Sequence, residues 1–168
     1  MGLDINAIKV EFIDHDSVQA LELMTSSVEE FHINDYFMEH HEDLKEYIKD
    51  DKFYGLIDSD NEFTFRAGSY GNYGDFRRRL CVLVHDISIA EFWEKGEEIY
   101  TLDFGYLLNF SDSEGIIGPA ACKRLLQDFI KWDDLIYEAW RESPLMYGVY
   151  RDFKKAVEIG SNGLVIFC

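Results

Sequence analysis

Apolar residues change their spacing several times along this chain, and each spacing predicts an element. Between Pro119 and Trp140, the residues Ala121, Leu125, Phe129, Trp132, Ile136 and Trp140 recur every three or four positions. That period predicts a helix with one buried stripe, and Pro119 suits its first turn. Pro144 ends this helix or starts another, in which Met146, Val149, Phe153, Ala156 and Val157 face inward and Gly160 is the expected C-cap. A third helix is predicted from about Tyr73 to Val84, with Phe76, Leu80, Leu83 and Val84 on its inner stripe. At about 100° per residue, Arg78 points away from that stripe while Arg77 and Arg79 flank it. Shorter helices are expected after Asp16-Ser17, from about His41 to Lys49, and from Ile89 to Lys95.

Other stretches carry a period of two. Leu3, Ile5 and Ala7 share one face of a strand, and Ile8, Val10 and Phe12 take the other, which signals a bulge or burial on both faces. Phe53–Asp58 and Glu62–Ala67 flank Ser59-Asp60-Asn61 and read as a β-hairpin. Tyr100–Leu102 and Asp103–Phe110 read as strands, the second apolar on both faces as a central strand would be. Gly163–Cys168 reads as the last strand. The expected fold is α+β, a mixed or mostly antiparallel sheet with helices packed on it. With 168 residues and no visible linker or repeat, one domain spanning 1–168 is expected.

Charge divides this domain. The net charge is -17, and residues 1–65 hold 17 acidic against 4 basic residues. The acidic third runs from about 14 to 62; between Val28 and Asp51 alone stand nine acids and two lysines. A phosphate backbone would be repelled, so no direct nucleic-acid partner is expected. A protein partner with a basic surface fits, through Glu39, Glu42, Asp43 and Glu46, although solvation alone accounts for the same acids. No apolar run is long enough to span a bilayer, and the start Met-Gly-Leu-Asp-Ile-Asn has no basic-then-apolar signal pattern. Cys81, Cys122 and Cys168 are odd in number and widely spaced, which suits free thiols and a cytoplasmic protein. No His, Cys or acid spacing suggests a metal, and no cofactor fingerprint is present.

Two polar, glycine-rich segments remain. Residues 66–79 offer Arg66, Ser69, Tyr70, Tyr73 and Arg77 beside Gly68, Gly71 and Gly74. Donors, aromatic faces and permissive backbone together suit a phosphate or carboxylate. Residues 109–118 offer Asn109, Asp112 and Glu114, whose paired carboxylates suit a cation or acid/base work. Ordinary turn chemistry explains both segments equally well, and so does an ion pair between them.

At these residues the chain resembles an uncharacterised family of bacterial and phage proteins. The resemblance rests on Met1–Ile5, Phe65-Arg-Ala-Gly-Ser-Tyr70 with Tyr73 and Arg77 or Arg78, Asn109–Gly118, Lys123–Phe129, Phe153–Glu158 and Gly163–Phe167. It covers most of residues 65–168 and only the first few before them. It implies a cytoplasmic, phage-type origin and no established activity. Two functions stay open. One is a small acidic protein that binds another macromolecule, in particular a phage-type inhibitor of a host nucleic-acid-binding or defence protein. The other is a small-ligand binder or enzyme with a site formed by loops 66–79 and 109–118.

Overall fold

A five-stranded antiparallel sheet in the order β2-β3-β1-β5-β4 organises the chain. The computed structural model describes residues 2–32, 42–110 and 115–168. The strands are β1 (Gly2–Ile13), β2 (Val28–His32), β3 (Lys52–Ser69), β4 (Gly115–Ile117) and β5 (Gly163–Phe167). The described α-helices are α1 (His15–Glu22), α2 (Tyr70–His85), α3 (Ile89–Trp93), α4 (Gly105–Asn109), α5 (Pro119–Trp140) and α6 (Pro144–Gly160). Two 3-10 helices, η1 (Glu42–Tyr47) and η2 (Gly96–Thr101), complete them. The fold is α+β.

β1 explains the change of face in its own sequence. Leu3, Ile5 and Ala7 point into the main core with Phe65, Phe153, Val165 and Phe167, beneath α2, α5 and α6. Ile8 and Val10 point the other way, into a smaller core with Phe31, Leu44, Phe53, Ile116 and Leu164. One strand thus serves two cores on opposite faces of the sheet. The register against β3 breaks between Ile8 and Lys9, whose partners jump from Glu62 to Asp58.

That jump corrects the expected hairpin at 53–67. β3 is one 18-residue strand along β1, and Ser59, Asp60 and Asn61 bulge out of it without reversing the chain. Asp58 holds the bulge by accepting from the Asp60 N–H (3.2 Å) and from Asn61 Nδ2 (2.8 Å). Turn-forming residues here serve a bulge because a partner strand runs past them on one side.

The expected strand at 103–110 is also corrected. Residues 100–110 form the end of η2 and then α4, with Phe104, Leu107, Leu108 and Phe110 all buried. A short helix enclosed on every side shows the same unbroken apolar run as a central strand. The expected helix at 41–49 is the 3-10 helix η1, α1 is capped by Asp14 rather than Asp16, and Val28–His32 forms an edge strand. Gly160 is the last residue of α6 and is not a left-handed cap. A Cβ there would stand 2.7 Å from Cys122 Sγ and from Val165 Cγ2, so glycine lets α6, α5 and β5 pack closely.

Candidate functional site

The two polar segments meet through α2. Ser69 caps that helix, its Oγ accepting from the Asn72 N–H at 3.2 Å, which fixes where the first turn begins. Tyr73 and Arg77 follow one turn apart on the buried face. The Tyr73 hydroxyl donates to the Phe110 carbonyl (3.2 Å), and Arg77 Nη1 donates to the same oxygen at 2.7 Å. Phe110 is seated by its ring, whose centroid lies 4.2 Å from that of Phe167 on β5. The carbonyl that ends α4 is therefore held by side chains from 33 and 37 residues earlier in the chain.

The other expected site residues divide between this junction and elsewhere. Asn109, also at the end of α4, donates from Nδ2 to the Tyr100 hydroxyl at 2.7 Å. Tyr70 is 37% exposed at the first position of α2. Arg66 pairs instead with Asp4 across β1 and β3, at 3.5 Å and in solvent. Asp112 and Glu114 lie outside the described residues. Arg77 does not merely flank the inner stripe; it is buried, 8% exposed. Arg78 and Arg79 stay outside and share Asp75, at 3.5 and 2.8 Å.

Arg77 is electrostatically unusual. Its Cζ lies 4.8 Å from the centroid of the Tyr73 ring and 5.9 Å from that of Trp93. Those π-faces give a guanidinium partial compensation for lost water. It makes no ion pair with any described carboxylate, and its Nε is fully enclosed with no acceptor. Trp93 is not among the residues expected here, because it sits on a separate short helix that only the fold brings to α2.

A second cluster has no signature in the sequence. Asp128, 3% exposed on α5, accepts from the Phe104 N–H at 2.8 Å and faces Arg124 Nε at 3.6 Å. Phe104 is left-handed, with φ at +58°, so this bond holds a costly backbone state. Asp103 contacts the Asp128 carboxyl and accepts from Lys131 and from Trp132 Nε1 (2.8 Å). Burial pushes Asp128 up to about 6. Partial burial also pushes Asp103 upward, but Lys131 and Trp132 outweigh it and hold that group below its ordinary value. The pair fastens Asp103 and Phe104 to α5.

Of the acids expected to meet a partner, Glu39 and the side chain of Glu42 lie outside the described residues. Asp43 caps α5: its Oδ2 accepts from the Ala120 N–H at 3.2 Å, where Gly118 has no side chain to do so. Glu46 is exposed and lines a cleft of about 460 Å³ with Lys9, Phe12, Tyr47, Lys123 and Asn162.

Cys81 and Cys122 are buried free thiols. Burial pushes Cys81 up to about 11 and Cys122 further still, so neither is a thiolate at neutral pH. Among the described residues no group of His, Cys and acids is arranged to hold a metal ion, and no helix is long and apolar enough to cross a membrane. Comparison with known proteins finds no matching family, no similar curated protein and no similar solved structure.

Proposed function

We propose that this protein binds another protein through its acidic side, and that the partner presents a basic surface. The observation that carries this reading is exposure: no described aspartate or glutamate before residue 66 is buried. Those acids belong to elements that adjoin one another. β2 carries Glu29 and Glu30 on a sheet edge, α1 packs against β2 and β3, and Asp50-Asp51 turn into β3. Lys9 and Lys52 are held in local pairs with Asp58 and Glu30, which leaves a large negative excess. Exposed carboxylates in this number mimic the potential of a nucleic-acid backbone, and a basic groove evolved for phosphates meets such a surface favourably. A host nucleic-acid-binding or defence protein is the partner class that this chemistry and the phage-type resemblance favour together.

The test is affinity capture from host lysate with the native protein and with a variant carrying Glu22→Lys, Glu29→Lys and Glu46→Lys. A partner retained by the native chain, released by salt, displaced by DNA and lost in the folded variant supports the reading. Retention that ignores both salt and charge reversal removes it.

The second reading is a small-ligand site where Tyr73 and Arg77 meet Phe110. The enclosed, unmatched Arg77 Nε favours it.

A further inference from the structure

We infer that the side of the Arg77 guanidinium formed by Nε and Nη2 is a receptor for a carboxylate; this rests on the second reading above. An arginine has three faces to satisfy. Here the flat face lies against Tyr73 and Trp93, and Nη1 is taken by the Phe110 carbonyl. The Nη1 bond is the one hydrogen bond that Arg77 makes among the described residues. The edge left over carries two parallel N–H groups, the fork that a planar carboxylate fills with two hydrogen bonds. Nε on that edge is fully enclosed and has no acceptor.

Burial makes the unmatched edge costly. Buried charges in folded proteins are matched by an opposite charge or a full set of acceptors, and among the described residues Arg77 has neither. Two aromatic faces and one carbonyl leave the positive charge in excess. A carboxylate on the fork would supply both missing acceptors and the missing charge. Tyr73 fixes the ring wall from inside, with its hydroxyl held on Phe110, while the Trp93 ring, 5.9 Å from Arg77 Cζ, is 44% exposed. The net charge of -17 repels free anions in general, so a small carboxylate must be held by this local geometry and not by the protein's field.

Sodium acetate is the probe, added at constant ionic strength against sodium chloride. The buried Arg77 Nε–H is followed in a proton–nitrogen correlation spectrum, assigned by its loss in Arg77→Lys. Fluorescence is followed in parallel, with Trp93→Phe identifying the Trp93 signal. The expected result is a saturable shift of the Nε–H resonance and of the Trp93 signal. Arg77→Lys, which keeps the charge and loses the fork, should weaken acetate binding by about tenfold or more. Should Arg77→Lys fail to fold, the saturable acetate shift of the Trp93 signal in the native protein, identified by Trp93→Phe, decides alone. A response to phosphate without one to acetate keeps an anion site and overturns the carboxylate. No response to either anion overturns both this inference and the small-ligand reading. A response that appears only after Asp112→Asn or Glu114→Gln means that the chain's own carboxylate fills the fork, and that also overturns the inference.

Discussion

Asp128→Asn should make the protein more stable at neutral pH and not at acidic pH. The native carboxyl is pushed from 3.8 up to about 6, first by burial and then by Asp103, against the pull of the Phe104 N–H and Arg124. A folded-state value above the unfolded one means that the fold prefers the protonated group. The stability this gives is complete below pH 3.8 and is lost as the pH rises through about 6. A shift of about two units at about 1.4 kcal/mol each is a loss of about 3 kcal/mol by pH 7.5. Asparagine keeps an oxygen for the Phe104 N–H and never ionises. Urea denaturation of both proteins at pH 4.5 and pH 7.5 reads the difference. Because pH 4.5 lies above the unfolded value, the variant should gain about 2 kcal/mol of that relative to the native chain between those two pH values. A difference that does not change with pH would refute the reasoning, and so would an Asp128 carbon resonance titrating near 4.

Phe153→Ala should cost about 3–5 kcal/mol in the same assay, because the ring is fully buried between Phe65, Tyr73, Phe76 and Phe167; a loss under 1 kcal/mol would place α6 off the sheet. Gly163→Ala should cost at least about 2 kcal/mol, since its Cβ would fall 2.0 Å from the Ile8 carbonyl oxygen and 2.8 Å from Lys9 Cα, forcing β5 off β1. Gly148→Ala, with nothing within 4 Å and a helical backbone, should instead be neutral or stabilise by up to about 1 kcal/mol. Equal losses in the two alanine variants would mean that close approach is not what Gly163 provides.

What is legible in the sequence follows from how local each signal is. α5 and α6 are long, one-sided and bracketed by prolines, so periodicity alone locates them. β1 announces its two-faced burial because the change of parity lies within one strand. Asp103–Phe110 reads as a strand because an enclosed short helix and a central strand both need apolar side chains all round, and eight residues are too few to separate them. Ser59-Asp60-Asn61 reads as a turn because the same Asx bonding closes a turn or supports a bulge, and the choice belongs to β1 fifty residues away. At the site, Tyr73 and Arg77 stand out as residue types in a polar segment. Which of three consecutive arginines goes inside depends on the Phe110 carbonyl and the Trp93 ring, and neither is near in sequence. Asp128 is invisible because a lone acid on a helical wheel reads as solvent-facing until Phe104 needs an acceptor.

β1 lies between β3 and β5, and its residues 5–9 pair with residues 163–167. The centre of the sheet is therefore closed by the two most distant described parts of the chain. During synthesis the β1–β3 ribbon can form early, but its Ile5–Lys9 edge then stays open until β5 emerges. An open, apolar edge invites pairing with another chain. The route to the native state is thus governed by one late event of long reach, and folding should be slow for a protein so rich in helix.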